Sequence, residues 1–195
     1  RSKKKTLLVI TRHPDDIFFL KSSYQYIIQS IVNYAIKTDY HLIFKTHPHL
    51  KDIDLLKKIL KKYNNLDYKI EFDHILKLVN KSDICISMLT SGCLDALSLN
   101  KPTIEYFTSK VEINRNKQLL TNTTRFVKND KGNWVSIFNY YNLVKTVEKD
   151  SDFVNLIKKL EKSNKILNYQ VRNFKKMNLI CDLNKVIKKI NNILN

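Results

Sequence analysis

Polar and charged residues follow several short apolar runs in the first half of this chain. If those runs are strands of an open parallel sheet, their carboxyl ends border the crevice in which such sheets bind ligands. Cations and hydroxyl groups meeting there suit an anion such as a phosphate. The candidates for contacting such a ligand are Arg12, His13, Lys45, Thr46, His47, Pro48, Glu71, Thr90, Ser91 and Gly92, with Glu105 near the end of a fifth run.

The turn Thr90-Ser91-Gly92 is the clearest candidate for a phosphate site. It offers two hydroxyl groups, a glycine that lets a ligand approach the backbone, and N–H groups at a predicted helix start, where the helix dipole favours an anion. Ordinary capping of the helix by Thr90 or Ser91 explains the same residues without a ligand. The residues alone leave both interpretations open.

Two His-Pro pairs, at residues 13–14 and 47–48, follow the first and second predicted strands. An imidazole can donate a hydrogen bond to a phosphate oxygen, and the neighbouring Arg12 and Lys45 add positive charge. The chain has only two glycines, which excludes a GxGxxG fingerprint and a P-loop. No DxD motif accompanies Asp15-Asp16, so we expect neither a metal nor another cofactor at the site.

The elements that must position these residues follow from the pattern of apolar positions. Runs rich in β-branched residues alternate with stretches of helical period, which predicts βαβ units and a parallel sheet. The predicted strands cover residues 6–12, 40–46, 68–72, 83–89 and 102–107. The predicted helices cover residues 16–37, 53–63, 74–80, which Asp73 is expected to cap, and 91–99. Right-handed crossovers then give a Rossmann-like α/β fold with helices on both faces of a sheet of about five or six strands.

Beyond residue 107 the pattern changes. Residues 108–124 are polar and rich in Asn, which predicts a loop, and residues 125–134 predict a short strand with a turn at Lys131-Gly132. The remainder is predicted to be mostly helical, and its last helix has an apolar stripe over residues 179–193. No linker marks a second domain. Residues 1–195 are therefore expected to form one domain, with the sheet in about residues 3–130 and C-terminal helices in about residues 135–195.

Composition narrows the class of protein. A hydrophobic content of 43% and a charged content of 27% are typical of a soluble globular protein, and no apolar run approaches the ~20 residues that span a bilayer. Cys85, Cys93 and Cys181 show no CxxC spacing and are expected to be reduced packing residues. No secretory signal is seen, so we expect a cytoplasmic location.

The net charge of +17 favours an anionic partner. A nucleic-acid surface would mix Arg with exposed aromatic residues, whereas Lys greatly outnumbers Arg here and much of the charge falls on predicted solvated helix faces. We therefore expect no specific nucleic acid as a partner. Peripheral contact with an anionic membrane, at the inner face of the plasma membrane, or with an anionic polysaccharide stays open.

Two motifs in order, KTHPH at residues 45–49 and SDICISMLTSGCLDALSLNKPTIEYF at residues 82–107, carry a resemblance to a known family. They resemble the C-terminal, donor-binding half of bacterial capsule and cell-surface glycosyltransferases of the GT-B type. The pattern is similar to the HP and S/T motifs of bacterial sialyltransferases, and to Kdo and CDP-glycerol transferases. The resemblance spans about residues 6–107.

The resemblance implies a role for each motif. His47 would be the catalytic residue that contacts the donor phosphate or the departing nucleotide, and the turn at residues 90–92 would hold the phosphate. The backbone at residues 70–72 would face the base, and Glu105 would lie near the ribose or the donor sugar. The implied donor is a CMP-activated sugar, sialic acid-like or Kdo-like, or a CDP-activated unit, transferred without a metal to a surface polysaccharide or oligosaccharide.

In such enzymes the catalytic base comes from an N-terminal, acceptor-binding half, which this sequence does not include. We therefore expect the chain to be the donor half of an incomplete enzyme that works with that domain. Two alternatives stay open. One is a UDP-sugar transferase or a non-hydrolysing UDP-sugar epimerase on the same fold, and the other is a non-catalytic α/β module that binds polyanions or nucleic acid.

Overall fold

The computed structural model describes residues 4–12, 14, 20–46, 52–107 and 126–177. The strands in these ranges are β1 (Thr6–Ile10), β2 (His41–Lys45), β3 (Tyr68–Glu71), β4 (Ile84–Ser87), β5 (Thr103–Tyr106), β6 (Phe126–Lys128), β7 (Trp134–Ser136) and β8 (Lys145–Val147). The helices are α1 (Lys21–Thr38), α2 (Ile53–Leu60), α3 (Ile75–Asn80), α4 (Gly92–Ser98), α5 (Ile137–Tyr140), α6 (Asp150–Lys162) and α7 (Lys165–Lys176). No helix in the described ranges is long and apolar enough to cross a membrane.

Six strands form one parallel sheet in the order β3-β2-β1-β4-β5-β8. The chain adds β2 and β3 on one side of β1 and then returns to add β4 on the other side. The strand order therefore reverses between β1 and β4. In open α/β sheets this reversal opens a crevice at the carboxyl ends of the two strands.

Alternate residues of the central strands enter two different apolar cores. Leu7 and Val9 of β1 pack in a core with α1, α2 and α6, while Leu8 and Ile10 pack in a core with α3 and α4. Strands that are apolar on both faces are what a parallel sheet covered by helices on both sides requires. The expected Rossmann-like α/β fold is thus confirmed.

The five strands and the helices predicted up to residue 107 are confirmed, with ends that differ by a few residues. Residues 125–134 also hold the predicted strand and turn, because β6 and β7 form an antiparallel hairpin in which Gly132 has a φ of +74°. Cys85 and Cys93 are buried free thiols, as expected of packing residues. The predicted loop over residues 108–124, the last helix and Cys181 lie outside the described residues.

One strand was not predicted, and one expectation was wrong. The described region after Trp134 is mostly helical, as expected, but β8 adds a sixth strand beside β5. The three residues of β8 include Lys145 and Thr146, so no apolar run announced it. Asp73 does not cap α3, since His74 holds the cap position and its Nδ1 accepts from the Leu76 N–H. Asp73 instead forms an ion pair with Lys77 at 2.9 Å.

Gln170 of α7 completes the hydrogen bonding at the start of β5. The Thr103 N–H donates to Gln170 Oε1 at 3.3 Å, and Gln170 Nε2 donates to the Thr103 carbonyl at 2.7 Å. The side chain is 0% exposed, so no water can replace these bonds. The amide therefore acts as a short substitute for a neighbouring strand and fastens α7 to the sheet.

Replacing Gln170 with leucine should destabilise the domain. Leucine has a side chain of similar size but cannot bond to the buried N–H and C=O of Thr103. Leaving these two groups unpaired lowers the free energy of unfolding by roughly 2–4 kcal/mol. Urea denaturation measures the loss. Asn168→Leu, an exposed change on the same helix, is the matched control and should stay within about 0.5 kcal/mol of the parent. Equal effects of the two changes would contradict the strand-substitute role.

Candidate functional site

A cavity of about 810 Å³ opens at the carboxyl ends of β1, β2, β3 and β4, where the strand order reverses. Its volume lies within the range of ~300–1,000 Å³ that is usual for small-molecule sites. The residues predicted from the sequence that line it are Arg12, Lys45, Thr46, Thr90, Ser91 and Gly92.

Of the other predicted residues, Glu71 and Glu105 are not among the described residues that line this cavity. His13, His47 and Pro48 lie outside the described residues, so their assigned roles stay predictions. Glu71 is half-buried at the end of β3, one position before the lining residue Phe72. Glu105 is fully buried and does not reach the cavity wall.

Arg12 holds the turn between β4 and α4 in place. Its side chain is buried, with 6% of the residue exposed, and Nη1 donates to the Leu89 carbonyl at 2.7 Å. Leu89 has a φ of +55°, a left-handed conformation that costs a non-glycine residue ~1–2 kcal/mol. A charge-assisted hydrogen bond to the Leu89 carbonyl stabilises that conformation. Arg12 is therefore positioned both to line the cavity and to shape its neighbouring turn.

Two hydroxyl groups of this turn bond to each other, Ser87 Oγ and Thr90 Oγ1 at 3.1 Å, and the third belongs to Ser91. Ser87 Oγ accepts from the Thr90 N–H at 3.1 Å and donates to the Thr90 carbonyl at 3.0 Å, which closes the turn. Ser91 stands at the N-cap position of α4, yet its side chain makes no capping hydrogen bond. Simple capping therefore does not account for Ser91. Its exposed hydroxyl is left available to a ligand in the cavity.

Gly92 is needed for packing. A Cβ built on it would lie 2.8 Å from Cδ1 and 3.2 Å from Cγ2 of Ile10, closer than side chains normally approach. The absent side chain thus lets α4 begin directly against the end of β1. We expected the glycine to admit a ligand to the backbone, whereas the close approach that the structure shows is between α4 and Ile10.

The opposite wall comes from the segment between β3 and α3. Lys45 Nζ, at the end of β2, donates to the Phe72 carbonyl at 3.4 Å. Phe72 is 55% exposed and lines the cavity, as does His74. The sequence suggested only a helix-start role for His74. Its place directly after β3 was the signal that could have identified it as a cavity residue.

Asp95 adds a carboxyl group to the wall, on the first turn of α4. Burial raises the pKa of Asp95 above its ordinary value, and the nearby His74 acts in the opposite direction. Asp95 was assigned no role from the sequence. Its position three residues after Gly92 places it on the same side of α4, which could have suggested that it faces the site.

Glu105 belongs to a buried polar cluster that joins β5 to β7 and β8. Its Oε2 accepts from Ser136 Oγ at 2.6 Å and from Thr146 Oγ1 at 2.8 Å. Burial raises the pKa of Glu105 to about 7, although these two hydrogen bonds partly oppose the shift. Its contacts are structural, and its proposed proximity to a ribose or sugar stays a prediction.

The raised pKa of Glu105 predicts a pH-dependent stability. Because the folded state holds the proton more tightly than the unfolded chain, the contribution is complete below pH 4.5 and is lost as the pH rises through about 7. Relative to Glu105→Gln, the free energy of unfolding of the parent should fall by about 3 kcal/mol between pH 4.5 and pH 8. Urea denaturation at several pH values measures this difference, and parallel pH curves for the two proteins would contradict it.

Solved structures of other proteins have a fold similar to that of this chain. No protein-family model and no curated protein sequence matches this chain. Among solved structures, it is similar to the C-terminal CMP-Kdo binding domain of WaaA from Acinetobacter baumannii, with a TM-score of 0.53 and 12% identity. That similarity covers 90% of this chain and 89% of the other. The chain has the fold of a GT-B C-terminal domain.

Two larger proteins contain a similar domain. The wall teichoic acid polymerase TagF gives a TM-score of 0.57 at 17% identity, over 90% of this chain and 39% of TagF. UDP-GlcNAc 2-epimerase from Neisseria meningitidis, solved with UDP-GlcNAc, gives a TM-score of 0.52 at 19% identity, over 92% of this chain and 44% of the epimerase. The chain therefore spans about two fifths of the length of these proteins.

Proposed function

We propose that this chain is the donor-binding domain of a glycosyltransferase that uses a CMP-activated sugar or a CDP-activated unit. The observation that carries the proposal is the convergence of Arg12, Lys45, Thr90 and Ser91 on one cavity at the reversal of strand order. Two proteins with this fold add support, since one is a CMP-Kdo binding domain and another is a wall teichoic acid polymerase.

The phosphate is proposed to bind between Arg12, Lys45 and the turn at residues 90–92. Two cations and the hydroxyl group of Ser91, which does not cap α4, give an anion both charge and hydrogen bonds. Of the two lining carboxylates, Asp73 is already paired with Lys77. Burial raises the pKa of the other, Asp95, above its ordinary value.

The nucleoside is proposed to lie against the segment after β3. Phe72 presents an exposed ring on this wall, where a base can stack, and the backbone beside it offers hydrogen bonds to the edge of a base. Lys45 contacts the Phe72 carbonyl, so the phosphate and base subsites adjoin. A cavity of about 810 Å³ has room for a nucleotide and part of a donor sugar.

Transfer of the sugar places growing negative charge on the departing phosphate, which fixed cations and hydrogen-bond donors in the site can stabilise without a metal ion. Among the described residues, no group of three His, Cys, Asp or Glu side chains could hold a metal. The proposal has four further parts. His47 is the catalytic contact, an acceptor domain supplies the base, the acceptor is a surface saccharide, and the location is cytoplasmic.

Nucleotide binding should raise the melting temperature of the chain. CMP or CDP at about a hundred times its dissociation constant adds roughly 2.7 kcal/mol, or about 5–10 °C for a domain of this length. A Thr90→Ala/Ser91→Ala variant should lose most of that rise. Loss of the Ser91 hydroxyl removes a hydrogen bond to the charged phosphate, worth ~1.5–3 kcal/mol, and loss of the Thr90 hydroxyl removes its bond to Ser87 in the turn that positions Ser91. Thermal denaturation with and without each nucleotide measures the rise against each variant's own ligand-free value.

The matched control is Thr38→Ala/Ser98→Ala, which removes two hydroxyl groups away from the cavity and should respond to nucleotide like the parent. An equal rise in both double variants would contradict the phosphate site. The absence of any rise with CMP, CDP, UDP and GDP would contradict nucleotide binding by this chain. A rise with UDP alone would favour a UDP-sugar transferase or epimerase, an alternative supported by the fold shared with the UDP-GlcNAc 2-epimerase.

A further inference from the structure

One face of α7 carries a row of positive charges. The exposed residues of this helix fall within about a third of its circumference, given 3.6 residues per turn. They are Lys165, Asn168, Tyr169, Arg172, Lys175 and Lys176. We call this surface the α7 face. The opposite side of the helix is held in place by buried Gln170 and Phe174, so the α7 face is fixed in orientation.

No negative charge balances the α7 face from within the helix. Residues 165–176 include four cations and no Asp or Glu. Ion pairs elsewhere in the described chain are made by Lys4, Lys5, His41 and Lys77, and none of the α7 cations forms one with a described carboxylate. By contrast, the cationic surface at α2 has Asp54 in its own first turn.

Exposed aromatic and apolar side chains accompany these cations. The Tyr169 ring is 37% exposed and lies between Lys145 Nζ and Arg172 Cζ, at 5.5 and 5.4 Å from its centroid. Asn173 Nδ2 donates to the Asn142 carbonyl at 3.4 Å, which brings the exposed Tyr140-Tyr141 pair near α7. Tyrosine is enriched where proteins meet the headgroup layer of a membrane, because its ring is apolar and its hydroxyl is polar.

The α7 face lies away from the proposed nucleotide cavity. A shallow cleft beside it is lined by Asn100, Leu167, Val171 and three of the cations. Asn100 follows the end of α4, whereas Gly92 at the start of α4 lines the cavity. A large anionic surface can therefore approach α7 without covering the cavity opening at the other end of α4.

We propose that the α7 face docks this domain on an anionic phospholipid surface. A row of cations along one exposed helix face suits a flat layer of negative headgroups, and each Lys or Arg near such a layer contributes about 1 kcal/mol. The inference rests on α7 alone and does not depend on the proposed function.

Vesicle co-sedimentation tests the docking surface with the whole chain. The probes are vesicles of phosphatidylcholine alone and of phosphatidylcholine with phosphatidylglycerol. The variant changes Lys165, Arg172, Lys175 and Lys176 to glutamine. At about fivefold per cation, its affinity for the phosphatidylglycerol vesicles should fall several hundredfold. Circular dichroism checks that the variant is folded.

The matched control changes Lys57, Lys58, Lys61 and Lys62, which are exposed at α2, to glutamine and removes the same net charge. It should bind phosphatidylglycerol vesicles nearly as well as the parent. Equal losses in the two variants would overturn the proposal, because net charge alone would then explain binding. So would equal binding of the parent to both kinds of vesicle.

A fluorescence measurement separates lipid from soluble polyanions. Tyr169→Trp in a Trp134→Phe background places one tryptophan in the α7 face. Its emission should shift to shorter wavelength with phosphatidylglycerol vesicles, because the ring enters the headgroup layer, and should not shift with a single-stranded oligonucleotide or an acidic polysaccharide. A shift with a soluble polyanion and none with vesicles would overturn the proposal in favour of that partner.

Discussion

The close packing of α4 against the end of β1 is the constraint on which the candidate site depends. Because Gly92 has no side chain, α4 can begin in contact with Ile10. This contact brings the turn at residues 90–92 beside the carboxyl end of β1, where Arg12 bonds to the Leu89 carbonyl. The reversal of strand order supplies the crevice, and these two contacts fix the shape of its wall.

The positive charge of the chain acts at two separate places. Arg12 and Lys45 lie in a concave cavity with hydroxyl groups and an exposed aromatic ring, which suits a small anion attached to a base. The α7 face has no acidic residue of its own and is flanked by exposed tyrosines, which suits an extended anionic surface. Since the two places adjoin opposite ends of α4, they can be occupied together.

The sequence predicts the fold better than it predicts the site. Apolar runs such as β1 identify buried parallel strands directly, and their carboxyl ends point to Arg12, Lys45 and Ser91 as neighbours. The wall at Phe72, His74 and Asp95 required the three-dimensional arrangement, because each residue type is also common in ordinary helix starts. Strand β8 was not predicted for a similar reason. Its formation depends on pairing with β5 and not on an apolar pattern of its own.

The most direct test of the account is a titration of isotope-labelled chain with CMP, followed by two-dimensional NMR of the backbone amides. Binding at the proposed cavity predicts that the largest shifts occur at Arg12, Lys45, Ser91 and Gly92. Amides at the amino ends of the same sheet, such as Thr103, should move little. Shifts concentrated at those amino ends or along α7 would contradict a nucleotide site at the reversal of strand order.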